Sequence, residues 1–468
     1  MQTRLSALSF LLLTCLSAIG CLICGVLAAE GQPPQAALRL ATFDVNATPP
    51  VGSMMAYDPV TNQWDLTLRA RGVVVLGAGE PIVLCAVDWI GIANEGHDAF
   101  RATLARAAGT VPARVTVHTL HQHDAPSCDF LAEKILLDAG LPARQFEGTF
   151  QRQVLTNLET AVRESLERAQ PVTQVGLGQA PVERVASNRR IPGPDGKIKA
   201  VRWSATKDDA VRAEPEGLID PMVSLVSFWN GDKPVAVLSY YATHPQSYYR
   251  TGFPNPDFPG VARFLRQLAV PAALHVHFDG AGGNITAGKY NDGSPENRLA
   301  LAQRLADGMR RAWEATKREP VTVSDVGWEF EPVALPLPAY LDVAKLEAGL
   351  KERGPAFAAS EGPLKLAWVR RNAAGRRIDI GCLRLGHARV LHLPGELFVE
   401  YQLAAKALRP DLFVAMAAYG DYAPGYIGTD IAYTQGGYET EPASSNVAPG
   451  SEKVLIGAIR KLLSVDKQ

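Results

Sequence analysis

One apolar segment limits the possible folds of this chain more than any other feature. Residues 82–89 are almost continuously hydrophobic, which is typical of a strand buried on both faces of its sheet. A helix is predicted next, over about 94–107, followed by a β-branched strand at 115–118. This strand–helix–strand order predicts an α/β fold, with a mixed or mostly parallel sheet core covered by helices.

The rest of the chain continues the same alternation of elements. An amphipathic helix is predicted over about 146–168, because Phe150, Val154 and Leu158 recur every four residues. Asn230-Gly231 between two apolar runs predicts a β-hairpin. Because no internal repeat or low-complexity linker interrupts the sequence, residues 30–468 are predicted to form a single large domain.

The first 29 residues are predicted to be a secretory signal. Arg4 precedes an apolar run to about residue 27, and small residues follow it before Glu30. The protein is therefore expected to be secreted or placed in the periplasm or cell envelope. The alternative is an uncleaved anchor, because the apolar run is long enough to span a bilayer. Beyond this segment, the sparse and odd set Cys85, Cys128 and Cys382 does not form a disulfide framework.

Charge argues against one class of partner. The chain has 47 basic and 48 acidic residues, for a formal net charge of -1. A nucleic-acid-binding protein normally carries a basic face, so nucleic acid is not an expected partner.

Metal-capable side chains follow several of the predicted strands. The chain has nine histidines, yet His118, His121 and His123 are nearly adjacent. Residues i and i+2 of an extended chain point to the same face, so His121 and His123 project together from a strand end. His244 and Glu396 also follow apolar strands. Two imidazoles and one carboxylate are the protein ligands of many catalytic zinc sites.

Each of these residues also has an ordinary structural interpretation. A single histidine after a strand is commonly a hydrogen-bonding residue, and a glutamate in the first turn of a helix commonly interacts with the helix dipole. Tyrosines in the loop 422–438 would normally pack. Asp88, at the end of its strand, is a candidate to orient a ligand histidine. The metal hypothesis therefore depends on the set as a whole.

The set resembles the neutral/alkaline non-lysosomal ceramidases, in their N-terminal catalytic domain. The resemblance covers nearly all of the chain after the signal segment, with its motifs in the same order. They are His121-Gln122-His123-Asp124-Ala125-Pro126, Asn188-Arg189-Arg190, Ala242-Thr243-His244-Pro245, Leu393-Pro394-Gly395-Glu396, Asp421-Tyr422-Ala423-Pro424-Gly425-Tyr426 and Tyr438-Glu439.

The resemblance implies a zinc-dependent hydrolase that cleaves a linear amide, such as an N-acylsphingosine or a related N-acyl lipid, with possible peripheral membrane contact. It implies Zn²⁺ held by four side chains, with three further residues serving the chemistry. The implied metal ligands are His121, His244, Glu396 and Tyr426, and the implied catalytic residues are His123, Arg189 and Tyr438. His123 would move protons, and Arg189 and Tyr438 would stabilise the oxyanion.

Two departures from the family pattern keep other functions open. The family's nucleophile-like serine is absent: the matching run is Gly280-Ala281-Gly282-Gly283-Asn284, with Gly283 about where the serine would stand and Thr286 the nearest hydroxyl. Hydrolysis is therefore expected to use zinc-activated water. The 468 residues are also expected to lack the family's C-terminal immunoglobulin-like domain. The alternatives are a zinc esterase or amidase for a small non-sphingolipid substrate, and a non-catalytic metal-containing binding protein.

Overall fold

Three sheets, each containing a hairpin, follow one another along the chain. The structure, a computed structural model, describes residues 37–64 and 66–465. The chain from Ala37 onward forms one compact unit. The predicted signal segment and its three cysteines lie outside the described residues.

The first sheet has the strand order β5-β3-β2-β1-β7. Strands β1, β2 and β3 are antiparallel, and helix α1 returns the chain so that β5 pairs parallel to β3. Strands β4 and β6 form a separate short parallel pair. The elements are β1 Arg39–Asn46, β2 Arg69–Gly77, β3 Gly79–Val87, β4 Gly91–Ile92, α1 Asn94–Ala108, β5 Val115–Thr119, β6 Ser127–Cys128, α2 Phe130–Asp138, α3 Thr149–Glu167 and β7 Gln170–Pro171.

The second sheet has the order β14-β13-β12-β8-β16. Its central hairpin, β12 with β13, is the one predicted, but it turns at Gly231 and Asp232, one residue later than Asn230-Gly231, because Asn230 pairs with Lys233 as the last residue of β12. Strand β14 pairs parallel to β13 after helix α5. The elements are β8 Gln174–Pro181, β9 Ser187–Asn188, β10 Arg190–Pro192, β11 Ile198–Val201, α4 Asp209–Ala213, β12 Met222–Asn230, β13 Lys233–Tyr241, α5 Asp257–Ala269, β14 Leu274–Asp279, β15 Ile285–Thr286, α6 Pro295–Glu314 and β16 Lys317–Pro320.

The third sheet has the order β17-β18-β19-β21. Strands β17, β18 and β19 are antiparallel, and β21 pairs parallel to β19 after helix α9. The elements are β17 Val326–Val333, α7 Val343–Ala358, α8 Gly362–Ala373, β18 Ile378–Leu385, β19 Ala388–His392, β20 Glu396–Leu397, α9 Val399–Leu408, β21 Phe413–Ala417, β22 Tyr426–Ile427, α10 Asp430–Gln435 and α11 Ser451–Leu462.

The same order of elements therefore occurs three times: an antiparallel hairpin, a crossover helix and a parallel strand at the sheet edge. The predicted α/β architecture with mixed sheets is confirmed. Each of the three large sheets has one parallel strand pair, at its edge. Parallel neighbours need a crossover connection, and one helix supplies it in each sheet. The amino-acid sequence shows no repeat, because the order of elements recurs while the residues that form them differ.

The three sheets share one apolar core, to which β3 contributes Leu84, β12 contributes Phe228 and β18 contributes Leu383. Helices cover the outer faces in three further clusters. Within the described residues, no helix has the length and apolar character needed to cross a membrane. The three remaining cysteines are free and buried: Cys85, Cys128 and Cys382.

Helix α2 was not predicted from the sequence. It has only nine residues, too few for a periodic pattern to stand out. Its start is nevertheless encoded, because the Asp129 carboxylate accepts hydrogen bonds from the backbone N–H groups of Leu131 and Ala132.

Candidate metal centre

The metal-capable residues follow strands of all three sheets. His121 lies two residues past β5, and His244 lies three residues past β13. Glu396 lies four residues past β19 and pairs with Tyr426 in the short parallel ladder of β20 and β22. The structure thus brings together residues that are up to 305 positions apart in the sequence (426 minus 121).

The side chains of this cluster are close enough to share one ion. The nitrogen atoms that His121, His123 and His244 can offer lie within 4.8 Å of one another. Glu396 Oε2 lies 3.2 Å from His121 Nε2 and 3.6 Å from His244 Nδ1. His123 Nε2 lies 3.3 Å from His244 Nε2. His123 is therefore as much a part of the cluster as the two histidines expected to bind metal.

Backbone carbonyl groups fix the orientation of two of the imidazoles. His121 Nδ1 lies 2.7 Å from the Ile90 oxygen, and His123 Nδ1 lies 3.0 Å from the Pro245 oxygen. Because each Nδ1–H is donated to a carbonyl, each Nε2 faces the cluster. His121 has a φ of 57°, a costly conformation that tends to occur at functional sites.

The expectation that Asp88 orients a ligand histidine is wrong. Its carboxylate oxygens accept hydrogen bonds of 2.6 Å from both terminal nitrogens of Arg263. It also accepts the backbone N–H of Arg69. Asp88 therefore anchors α5 to the first sheet.

The electrostatic environment favours neutral imidazoles at His123 and His244 beside an ionised Glu396 carboxylate. Burial lowers the pKa of both His123 and His244 well below the ordinary value, and nearby cationic groups act in the same direction. Burial alone would raise the pKa of Glu396, but His121, Arg189 and the Tyr426 hydroxyl outweigh it, so that this pKa is lowered. At neutral pH, the cluster thus offers lone pairs and one negative charge.

The donor set fits a cation, because ligand-capable atoms crowd together in a buried cluster. His121 Nε2 lies 3.2 Å from Glu396 Oε2, and His121 Nδ1 lies 2.7 Å from the Ile90 oxygen. A neutral His244 has one N–H, so either Nε2 opposes His123 or Nδ1 opposes Glu396. His244 Nδ1 and Glu396 Oε2 are buried without a hydrogen-bond partner. A bound cation would satisfy these atoms.

Tyr426, Arg189 and Tyr438 form a chain of contacts beside the cluster. Arg189 Nη1 donates to the Tyr426 hydroxyl at 3.1 Å, and the two tyrosine hydroxyls lie 2.9 Å apart. Burial raises the pKa of Tyr426, and the charge of Glu396 adds to this shift. Without a metal, Tyr426 is therefore a neutral phenol that contacts Arg189.

All seven predicted site residues line one cavity of about 530 Å³, a volume within the usual range for small-molecule sites. Its aromatic walls were not predicted from the sequence. Tyr57 stacks on His123 with 6.1 Å between ring centroids, and Trp203 lies 4.9 Å from Tyr438. Tyr57 lies in an irregular segment, and Trp203 lies two residues past the short strand β11. Neither belongs to a motif, so only the tertiary structure reveals their place.

Two loops that carry cavity tyrosines are tied to each other. Arg250 donates two hydrogen bonds, of 2.8 and 2.7 Å, to Asp58. The Tyr57 and Tyr249 rings beside them meet edge to face at 5.3 Å. Asp124, which stands in place of the family's serine after the His-x-His motif, accepts from the Thr251 hydroxyl at 2.5 Å. Asp124 therefore holds this loop near His123.

The glycine run has no room for a nucleophilic side chain. A Cβ atom on Gly283 would lie 2.2 Å from the Glu396 carbonyl oxygen, and one on Gly282 would lie 2.1 Å from that of Thr243. Thr286 is fully buried, and its hydroxyl accepts the Gly288 N–H at 3.2 Å. Thr286 does not line the cavity, so this loop supports the metal ligands without supplying a hydroxyl.

Two solved structures have the same arrangement of elements. A neutral ceramidase from Pseudomonas aeruginosa superposes with a TM-score of 0.65 at 16% identity, over 92% of this chain and 75% of its own. The chain has the neutral ceramidase fold. A structure described as ceramidase complexed with C2 gives the same score and identity, over 92% of this chain and 76% of its own. No family model and no curated protein matches the sequence.

Proposed function

We propose that this chain is a zinc-dependent hydrolase of ceramidase type that cleaves a linear amide bond. The supporting observation is a buried cluster in which His244 Nδ1 and Glu396 Oε2 have no hydrogen-bond partner and His121 Nε2 lies 3.2 Å from Glu396 Oε2. The cavity that contains this cluster also contains Arg189. His121, His244 and Glu396 would hold the ion, and Tyr426 would complete the set. When bound, zinc lowers the pKa of water and polarises a carbonyl group.

The remaining residues supply positioning and proton transfer. Arg189 is fully buried, and neighbouring acidic and phenolic groups outweigh burial and raise its pKa, so it stays cationic. Together with Tyr438 it would donate hydrogen bonds to the oxygen of the tetrahedral intermediate. His123 Nε2, with its lone pair directed into the cluster, would accept the proton of the attacking water and pass it to the leaving amine.

A first experiment tests the metal and the reaction together. Purified protein is analysed for zinc and assayed on N-hexanoylsphingosine, hexanoyl anilide and p-nitrophenyl hexanoate, before and after chelation. We expect bound zinc, hydrolysis of at least one amide, loss of activity with chelator and recovery with Zn²⁺. Full activity in the chelated protein would contradict the proposal, and tight zinc without hydrolysis would favour the non-catalytic binding protein.

A second candidate is a zinc esterase or amidase for a small substrate. The cavity lining favours it, because Leu364 is its only large aliphatic side chain, whereas tyrosine, tryptophan, histidine and charged groups dominate. Two long alkyl chains would find little apolar surface there. Turnover of the anilide or the ester, with none of N-hexanoylsphingosine, would select this candidate.

The role of His123 has its own prediction. In His123→Gln we expect zinc to be retained, while kcat falls by about 10²–10⁴-fold, the usual contribution of a general base. Glutamine retains a polar group of similar reach but cannot carry the proton. Metal analysis and steady-state kinetics decide the matter: loss of zinc from this variant would make His123 a ligand instead.

A further inference from the structure

The cavity contains a carboxylate that the protein itself leaves without a partner. Glu361 immediately precedes helix α8, lines the cavity and is exposed to it. Its side chain does not cap the helix. Among the residues that the structure describes, no side-chain hydrogen bond or ion pair of Glu361 is formed. The carboxylate is therefore free to bind a ligand.

The nearest basic side chain does not neutralise Glu361 by direct contact. Lys365 lies one helical turn further on and donates instead to the Pro442 carbonyl oxygen at 2.8 Å. Burial raises the pKa of Glu361, Lys365 opposes this shift, and the negative charge of Glu396 adds to it. A ligand that supplies a hydrogen-bond donor would stabilise the charged form of this carboxylate.

Glu361 also lies at a junction inside the protein. A smaller cavity of about 50 Å³ adjoins the main one, and both are lined by Tyr57, Glu361, Leu364 and Tyr422. The smaller cavity is also lined by apolar side chains such as Ile90 and Phe146 and by polar ones such as Asp129 and Gln145. The carboxylate is thus placed between two chambers, where it can contact a substrate bound at the metal centre.

We propose that Glu361 is a specificity-determining residue that accepts hydrogen bonds from hydroxyl groups on the amine half of the substrate. This inference rests on the proposed amide hydrolysis. The acyl half of an N-acyl compound is a hydrocarbon without donors, and the scissile amide is held at the metal centre. The donors must therefore lie on the amine half, which makes the substrate an N-acyl amino alcohol or an N-acyl amino sugar.

The aromatic walls fit either source of these hydroxyl groups. Trp203, with 55% of its surface exposed, and Tyr249, with 48%, present flat faces near the cavity. Such faces can pack against the apolar face of a sugar ring or against the first carbons of an alkyl chain. The test must therefore separate the amino sugar from the amino alcohol.

Binding of non-hydrolysable ureas tests the inference without requiring turnover. The probes are the N-ethylureas of glucosamine, sphingosine and hexylamine, of which only the first two carry hydroxyl groups. They are titrated by calorimetry into the zinc-loaded full-length chain, into Glu361→Gln and Glu361→Ala, and into Glu352→Gln. Glu352 is an exposed glutamate of α7 that does not line the cavity, so it provides the matched control.

We expect wild type and Glu352→Gln to bind one hydroxylated urea at least tenfold more tightly than the hexyl urea. Both Glu361 variants should lose most of that preference while binding the hexyl urea as before. Preference for the glucosamine probe identifies an amino sugar, and preference for the sphingosine probe identifies an amino alcohol. Equal binding of all three probes by wild type, or an unchanged preference in the variants, overturns the inference. Hydrolysis assays on the same samples show separately whether the proposed enzyme activity holds.

Discussion

Replacement of His121 by alanine is expected to empty the metal centre and abolish hydrolysis. His121 is 2% exposed, and its Nε2 lies 3.2 Å from Glu396 Oε2, so its removal deletes one proposed ligand from the buried cluster. A zinc site that loses one of its few protein ligands loses most of its affinity. Zinc content and kcat/KM should both fall to background, which metal analysis and the hydrolysis assay measure directly.

Two further variants separate this effect from backbone strain. His121 has a φ of 57°, where alanine is unfavourable but asparagine is tolerated. His121→Asn should therefore fold as wild type, with little change in Tm, and still lack zinc. His387→Ala alters an exposed histidine in the turn between β18 and β19 and should change neither property. Zinc retained at the wild-type level in both His121 variants would exclude this metal centre.

Introducing the family's serine through Gly283→Ser is expected to destroy the site rather than improve it. The new Cβ would lie 2.2 Å from the Glu396 carbonyl oxygen and 3.0 Å from that of Leu397, both backbone atoms that cannot rotate away. Overpacking of this kind costs about 1–3 kcal/mol. The displaced Glu396 would also weaken the metal centre. We expect a lower Tm in thermal unfolding, less bound zinc and no gain in kcat.

Gly457→Ser provides the control for this substitution. Gly457 lies in α11, where a Cβ atom would have no neighbour within 4 Å, so the same change there should leave both Tm and zinc unaltered. A Gly283→Ser protein with unchanged Tm and faster hydrolysis would show that the glycine loop is open to the substrate after all.

The sequence predicts the strand ends of this site well, and for a physical reason. Buried strands are short apolar runs, and polar residues directly after them stand out against that background. His121, His244 and Glu396 each follow such a run, and the structure brings them into one cluster. The hairpin was predictable because its turn, Gly231 and Asp232, needs a positive φ at its first residue, which glycine adopts readily.

Other parts of the site could not be predicted, because nothing local encodes them. Tyr57 and Trp203 lie in irregular segments and reach the cavity only through tertiary packing. Glu361 precedes α8 and by sequence alone would be interpreted as a partner of the helix dipole. Parallel pairing occurs only at one edge of each large sheet, and this depends on which strands the three crossover helices connect. Hydrophobic patterns along the sequence do not contain such long-range information.

The threefold succession of sheets has a consequence for how the protein acquires its metal. The proposed ligands come from all three sheets: His121 follows a strand of the first, His244 follows a strand of the second, and Glu396 and Tyr426 follow strands of the third. A nascent chain that has completed only the first one or two sheets therefore holds one or two imidazoles of the set and neither of the oxygen ligands, too few to retain an ion. Capture of the proposed ion would thereby be confined to the end of folding, so that a loaded centre would report that all three sheets are assembled.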